Sequence, residues 1–376
     1  MSEPTQPLRL VIACGGTGGH LFPGIAVAQA ARARGHESLV LISEKQIDAL
    51  ASEGHGDLRF EKIPAIAMPR LLSLQMPKFL LRFLRTVKAC KGLLRGFRAD
   101  AVLGMGGFTS LPPLYAGRKL HLRTLLHESN AYPGKANRMS AKFCDRVLLG
   151  LADCAPHFPA GKTRVVGTPL RAALRDAMGQ AVPDAADSLA FFGLDAGKST
   201  LLVMGGSQGA RGVNDHVCAA LPALNPAAVQ VIHLTGPADI ERVRTVYANS
   251  PLRAHVAPFC QRMELAYPIA TAAICRSGAS SLTELSAFGV PTILIPYPFA
   301  ADDHQTKNAE VFVRAKAALM VQERDLNAGR MAGLLNDLLG DASVRNSLGA
   351  NLRALAVTDA AERVCKAIED LASTPR

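Results

Sequence analysis

One pattern, written twice, narrows the fold more than anything else in the chain. Near the N-terminus "LRLVIACGGTGGHLFPGIAVAQA" passes from an apolar run through a glycine-rich loop into a helix-like stretch, and "STLLVMGGSQGARGVND" repeats the plan in the second half. Glycine admits backbone angles and close approaches that a Cβ blocks, and a helix N-terminus presents unpaired N–H groups and partial positive charge. A strand ending in such a loop and feeding a helix can hold an anion or a sugar hydroxyl. Around the two loops, "ESLVLIS", "ADAVLGMGG", "LRTLLHES", "DRVLLG", "VQVIHLTG", "AAICRSG" and "PTILIPY" alternate with helix-length segments. Runs so rich in Val, Ile and Leu predict parallel strands buried on both faces, so the fold class is α/β, doubly wound, in two sheets of similar plan.

A chain of 376 residues suits two domains. The weakly periodic "RDAMGQAVPDAADS" reads as a linker, giving domains over 1–172 and 173–356 and a last helix over 357–376 expected to pack back on the first. A ligand is expected in a cleft facing both glycine loops, outside the carboxyl ends of the strands. The 42 Lys and Arg against 31 Asp and Glu leave a net charge of +11, which implies an anionic partner, and 49% hydrophobic residues exclude disorder. Aromatic residues at 5% and the absence of Trp argue against nucleic acid. Eight scattered cysteines without a C-x-x-C pair predict neither a zinc site nor a disulfide framework and suit a reduced, cytosolic chain. No secretory leader pattern and no membrane-spanning run is visible, so any membrane contact is expected to be peripheral.

Several motifs compete for the chemistry. "GGTGGH" lacks the third glycine of the dinucleotide fingerprint, Leu21 standing there, and "GLDAGKS" is a residue short of a P-loop and precedes a strand. "GGSQG" satisfies G-x-S-x-G, which makes Ser207 a candidate hydrolase nucleophile, although Asp302 and His304 of "DDH" are sequence neighbours and not the separate loops of a triad. "CRSGASSLTELSAFGVP" ends a strand at Cys275 and starts a helix at Ser280 or Ser281, a seat for a diphosphate. Ser281 and Glu284 also spell S-x-x-E, so Glu284 is either a capping-box residue or a ligand. "DDHQTKNA" sets His304, Gln305 and Asn308 at a loop-to-helix junction, where amides bind sugar or ribose hydroxyls. "GMGGFTS" and "HESNAYPGKANR" add polar groups to the same end of the first sheet.

In order, from about residue 9 to the C-terminal helix, "GGTGGHLFPGIAVA", "VLGMGGF", "HESNAYPGKANR", "VVGTPLR", "VMGGSQGARGVN", "CRSGASSLTELSAFGVP" and "DDHQTKNA" together resemble the MurG family of peripheral membrane glycosyltransferases. The resemblance implies a GT-B fold of two Rossmann-like domains, the first for a lipid-linked acceptor and the second for UDP-N-acetylglucosamine (UDP-GlcNAc). It implies an inverting transfer of N-acetylglucosamine to the 4-hydroxyl of the N-acetylmuramoyl unit of lipid I, with no cofactor and no obligate metal at the sugar. Donor contacts then fall on Thr17, Gly18, Gly19, Asn130, Arg171, Ser207, Cys260, Ala279, Ser280, Ser281, Leu282, Thr283, Glu284 and Gln305, with Glu284 on the ribose. Inversion needs a base for the hydroxyl and charge stabilisation for the departing diphosphate. His20 is the first candidate base and Glu128 the second, their plain alternatives being a loop-shaping histidine and a carboxylate bracing the "HESN" turn. The helix N-terminus at Ala279–Ser281 and Arg171 would stabilise the diphosphate. Phe108 stands where some members carry Tyr, Cys260 where an aliphatic residue is common, and His304 where some carry Gln. Expected partners are UDP-GlcNAc, lipid I, an anionic phospholipid surface and other cell-wall synthesis proteins. Transfer to another lipid such as diacylglycerol, and a nucleotide-sugar sensor, are the remaining alternatives.

The stretch "MPRLLSLQMPKFLLRFLRTVKACKGLLRGFR", Met68–Arg98, holds eight basic residues and no acidic one. A helix from near Pro77 puts Lys78, Arg82, Arg85, Lys88, Lys91, Arg95 and Arg98 in a stripe, with Phe79, Phe83, Val87, Leu94 and Phe97 toward the domain. Leu71, Leu72, Leu74, Met76, Leu81, Arg82, Leu84 and Arg85 form the expected patch on an anionic leaflet, the cytoplasmic face of the inner membrane.

Overall fold

Among the described residues every strand pair is parallel. The computed structural model describes residues 6–15, 18–44, 56–64, 74–179, 184–206 and 208–375. Contacts divide the chain into two compact units, Met1–Ala172 with Val357–Arg376, and Ala173–Ala356.

In the first unit β1 (Arg9–Ala13), α1 (Gly18–Ala33), β2 (Glu37–Ser43), β3 (Arg59–Ile63), α2 (Met76–Phe97), β4 (Ala101–Gly104), α3 (Gly107–Lys119), β5 (Arg123–Glu128), α4 (Lys135–Ala141), β6 (Arg146–Leu149) and β7 (Thr163–Val165) follow one another. The strands lie in the order β3-β2-β1-β4-β5-β6-β7. Successive side chains of a strand point to opposite faces, and both faces here are filled. Leu10 and Ile12 join the core beneath α1, with Val40, Ile42, Leu103 and Leu148. Val11 and Ala13 join the opposite core, with Leu39, Leu41, Val102 and Leu126. Each fully buried Leu, Ile or Val contributes roughly 1.5–3 kcal/mol relative to exposure, which explains the unbroken apolar runs.

The second unit contains most of α5 (Ala172–Gly179), then α6 (Ala185–Phe192), β8 (Ser199–Met204), α7 (Arg211–Ala220), β9 (Val229–Leu234), α8 (Ile240–Ala248), β10 (Ala254–Ala257), α9 (Met263–Ile269), β11 (Ala270–Cys275), α10 (Ala279–Phe288), β12 (Thr292–Leu294), α11 (His304–Arg314), β13 (Leu319–Met320), α12 (Ala328–Gly340) and α13 (Ala342–Leu355). Its strand order, β10-β9-β8-β11-β12-β13, repeats the plan of the first. In both sheets the order reverses beside the first strand, at β1/β4 and β8/β11, and the crevice outside the carboxyl ends at that point is where such sheets bind ligands.

A last helix, α14 (Ala360–Ser373), belongs to the first unit, where Val364, Cys365 and Ile368 share a core with Ala28 and Ala31 of α1. The seam is locked by a buried carboxylate. Arg34 donates to both oxygens of Glu369 at 2.7 Å each, and Nε2 of His36 lies 2.9 Å from Oε1. The Arg34 hydrogen bond, more than the opposing effect of burial, holds the Glu369 carboxyl below its usual range.

No helix of the described residues is long and apolar enough to cross a membrane. α2 begins at Met76 with Pro77 in its first turn. It buries Val87 and Leu94, half-buries Phe79, Phe83 and Phe97, and leaves Arg82 and Arg85 exposed. Leu74 is fully exposed, and Leu80, which the sequence reading passed over, stands out with Leu81 and Leu84, each about half exposed. Met76 is half-buried, while Leu71 and Leu72 lie outside the described residues.

Removing one partner of a buried ion pair leaves the other uncompensated; because Arg34 is partly exposed, Glu369→Ala is expected to cost about 2 kcal/mol in urea unfolding. A depressed carboxyl stabilises above its unfolded value and loses that stability as pH falls through its folded value. The wild type and the variant should therefore converge in stability in the acid range.

Candidate functional site

In the first unit the candidate residues gather at the carboxyl ends of β1, β4 and β5. α1 sits close on the end of β1 because position 24 is glycine: a Cβ there would lie 2.4 Å from that of Cys14. Gly18 and Gly19 open α1, Gly18 buried and Gly19 exposed, and His20 follows half-buried; Thr17 lies outside the described residues. Past β4 the chain turns through Gly106 at φ 107° and Gly107 at φ 72°, a left-handed pair that a side chain would strain. The His20 imidazole rests against this turn: a Cβ on Gly106 would meet Nε2 and Cδ2 at 3.1 Å, and one on Gly107 would meet Cε1 at 3.3 Å. Gly106 is also the N-cap of α3, so the imidazole lies at a helix N-terminus.

Glu128, the last residue of β5, is 3% exposed and accepts four hydrogen bonds. Oε1 takes the backbone N–H of Asn130 at 3.0 Å and its side-chain amide at 2.8 Å. Oε2 takes the Gly134 N–H at 3.1 Å and Nδ2 of Asn137 at 2.8 Å. This carboxylate braces the turn into α4, and the geometry favours that plain role over its candidacy as a base. Asn130, a predicted donor contact, is half-buried and tied to the brace. Neighbouring His127 is buried and neutral, its Nε2–H donating to Gly167 O at 2.9 Å and its Nδ1 accepting from Ser129 at 3.3 Å. Burial is the main cause of its lowered pKa.

Asn137 was overlooked by the sequence reading, although it stands in "HESNAYPGKANR". It is 4% exposed, and with Nδ2 committed its Oδ1 is buried without a hydrogen-bond partner. Its Nδ2 and the His20 ring converge on the same point, each 3.1 Å from a Cβ placed on Gly106. Arg171 packs on α1, its guanidinium 5.0 Å from the ring centre of Phe22.

In the second unit the candidates gather at the carboxyl ends of β8, β10, β11 and β12. Ser207 lies outside the described residues. The helix after its loop is anchored by buried Asn214, whose Nδ2 donates to Thr235 O and Asp239 Oδ2, both at 2.9 Å, and whose Oδ1 accepts from His233 at 3.0 Å. Burial, reinforced by Arg242, pushes His233 down to about 3. Cys260, after β10, is buried.

α10 starts at Ala279 with Gly278 as N-cap and no side-chain cap. The Ser281–Glu284 capping box is therefore not formed: Ser281 already lies inside the helix, where no cap is required. Ala279, Ser280, Ser281 and Thr283 are half-buried around the helix start, with the Thr283 hydroxyl donating to Ala279 O at 2.9 Å. Leu282 points into the core at 2% exposure, so only its backbone is left for a ligand. Glu284, half-buried, accepts a 2.6 Å hydrogen bond from the hydroxyl of Tyr267, which α9 carries and Phe288 stacks against at 5.2 Å. Nothing in the sequence pattern flagged Tyr267. At the mouth of β12, Gln305 accepts from the Tyr297 N–H through Oε1 at 2.9 Å, while the Ser277 hydroxyl donates to its carbonyl at 2.7 Å. Its Nε2 has no partner among the described residues. Nδ1 of His304 bonds Ala301 O at 2.8 Å and not an acid, unlike a triad histidine. Arg276, 7% exposed, pairs with Glu323 at 2.5 Å and pins the strand end.

Comparisons with known proteins place both units in one family. The Glycosyltransferase family 28 N-terminal domain matches residues 10–149, and the C-terminal domain of the same family matches residues 200–364. The UDP-N-acetylglucosamine--N-acetylmuramyl-(pentapeptide) pyrophosphoryl-undecaprenol N-acetylglucosamine transferase of Geobacter sulfurreducens is 38% identical over 361 residues, 95% of this chain and 97% of the relative. The protein of that name from Lactiplantibacillus plantarum is 32% identical, over 96% of this chain and 99% of its own. The crystal structure of Acinetobacter baumannii MurG superposes with a TM-score of 0.75 at 26% identity, over 97% of this chain and all of that one. A calicheamicin glycosyltransferase, 14% identical at a TM-score of 0.66 over 97% of this chain and 98% of that one, shares the GT-B fold.

Glu128→Gln keeps the shape but turns an NH2 toward N–H donors, and is expected to cost about 1–3 kcal/mol, visible as a lowered melting temperature. A loss of activity with unchanged stability would point instead to a reacting carboxylate.

Proposed function

Because the chain belongs to the MurG family, we propose that it transfers N-acetylglucosamine from UDP-GlcNAc to the 4-hydroxyl of the N-acetylmuramoyl unit of lipid I, giving lipid II and UDP. The observation that carries this reading is the 38% identity to a transferase of that name along 95% of the chain. The acceptor oxygen bonds to the anomeric carbon as the bond to the diphosphate breaks, with inversion. The hydroxyl proton passes to the imidazole of His20, and the diphosphate leaves as UDP.

His20 suits the base because a neutral imidazole nitrogen accepts a proton near neutral pH, and because its ring is seated against rigid backbone. Glu128 acts through the turn it braces, with Asn137 as one of its donors beside the base. The N-terminus of α10 and Arg171 stabilise the charge on the departing diphosphate. Glu284 holds ribose hydroxyls, oriented by Tyr267, and Gln305 offers its Nε2 to the sugar. Thr17, Gly18, Gly19, Asn130, Ser207, Cys260 and the first turns of α10 complete the donor contacts. No metal enters the step: a chelator should leave the rate unchanged.

The exposed leucines and arginines of α2 support docking on the anionic cytoplasmic leaflet of the inner membrane. Each basic side chain there contributes about 1 kcal/mol. Charge reversal at Arg82 and Arg85 should weaken binding to anionic vesicles while activity on a soluble acceptor persists.

The function is tested by a transfer assay with labelled UDP-GlcNAc, a short-chain lipid I analogue, and diacylglycerol in parallel; label is expected in the lipid I analogue alone. His20→Ala should lower kcat by roughly 100-fold or more, as loss of a general base does, with the donor KM little changed. Glu284→Ala should raise the KM for UDP-GlcNAc, and Tyr267→Phe should raise it by a smaller factor at unchanged kcat.

A further inference from the structure

We propose that a cavity at the N-terminal edge of the seven-stranded sheet binds a phosphate group, away from the reacting end of the strands. It is a recess of about 340 Å³, open to solvent, between the end of α3, the turn from α4 into β6, and the starts of β5 and β7. Arg118, Arg123, Lys142, Arg146 and Lys162 line it against a single carboxylate, Asp145.

The donors of these cations are satisfied mainly by neutral groups. Arg146 donates to Gly161 O at 2.7 Å, Lys162 to Cys144 O at 3.2 Å, and Arg123 to Thr374 O. A carbonyl orients a cation without cancelling its charge. Asp145 is held by the N–H and hydroxyl of Thr124 at 2.8 and 3.1 Å and stands 3.7 Å from Arg118, so its charge offsets one cation of five. Lys142 is exposed and has no ion pair among the described residues. A concave surface with this excess concentrates positive potential, and arginine forks match phosphate oxygens.

β5 runs from Arg123 in this cavity to Glu128 at the opposite edge, roughly 16 Å at the rise of a parallel strand. A ligand here is thus distinct from the reacting sugars. On its other side, Phe143 in the cavity wall packs edge-on against Tyr115 at 5.7 Å, and Tyr115 meets Phe83 of α2 at 5.9 Å. The cavity wall therefore packs through Tyr115 onto the domain-facing side of α2, whose outer side carries the exposed leucines, and this neighbourhood suits a lipid headgroup phosphate; free phosphate or diphosphate has the same chemistry.

Calorimetric titration of the whole protein with inorganic pyrophosphate, with excess UDP filling the donor site, tests the proposal. Wild type should bind, and Arg118→Gln/Lys142→Gln should bind roughly tenfold or more weakly, whereas Arg82→Gln/Arg85→Gln should bind as wild type. Lys142→Gln alone serves if the double variant melts early. Flotation with phosphatidylcholine vesicles, with and without phosphatidylglycerol, separates the sources. Weakened pyrophosphate and vesicle binding together identify a headgroup; weakened pyrophosphate binding with intact vesicle binding identifies a free phosphate. Pyrophosphate binding that is absent from wild type, or unchanged in the cavity variants, overturns the proposal whatever the vesicles do.

Discussion

A parallel sheet packed by apolar side chains on both faces has only the ends of its strands left for chemistry. In the first unit Leu10 and Ile12 face one core and Val11 and Ala13 the other, so no side chain within β1 is available to a substrate. Each connection from a parallel strand into a helix also starts at the carboxyl edge, which delivers helix N-termini to one side. The starts of α1, α3 and α10 are there for that reason, and so are the glycines that let backbone approach backbone.

At those edges the most buried polar groups hold the loops in place, and less buried ones remain for a ligand. Glu128 accepts four hydrogen bonds and Asn214 links three partners, while His20, Glu284 and Gln305 stay half-buried. An ionised carboxylate without donors would be costly at the burial of Glu128, which is why the turn supplies N–H groups from two backbone and two side-chain positions. Tyr267 does the equivalent for Glu284, a buried phenol fixing the carboxylate of a neighbouring helix. The opposite edge of the first sheet is built differently: cations there meet carbonyls, which leaves a positive surface beside the helix that bears exposed leucines.

Much of this was legible in the chain. Strand content, parallel pairing and the two-sheet plan follow from apolar runs on either side of glycine loops, because a strand buried on both faces has no room for polar alternation. The loop motifs also put the candidate residues at the carboxyl ends of the strands, since glycines and short polar groups mark where a strand turns into a helix. Spacing misled at Ser281 and Glu284. S-x-x-E describes a cap only if the helix begins at the serine, and here it begins two residues earlier, at Ala279. The roles of Glu128, Asn137 and Tyr267 were not legible, since each depends on contacts made through tertiary packing. Thr17, Ser207, Leu71 and Leu72 lie outside the described residues.

The sequence by itself determined the class of fold, the number of sheets, the order of the motifs and the basic, leucine-bearing face of α2, because these are set by local periodicity and by the partition of apolar side chains from water. Only the tertiary structure decided that Glu128 braces a turn and Glu284 takes a phenol hydrogen bond, which amide is left with an unpaired oxygen, and where five cations line one recess beside a single carboxylate. Hydrogen-bond partners and local charge balance arise between residues far apart in the chain, and no pattern of neighbours encodes them.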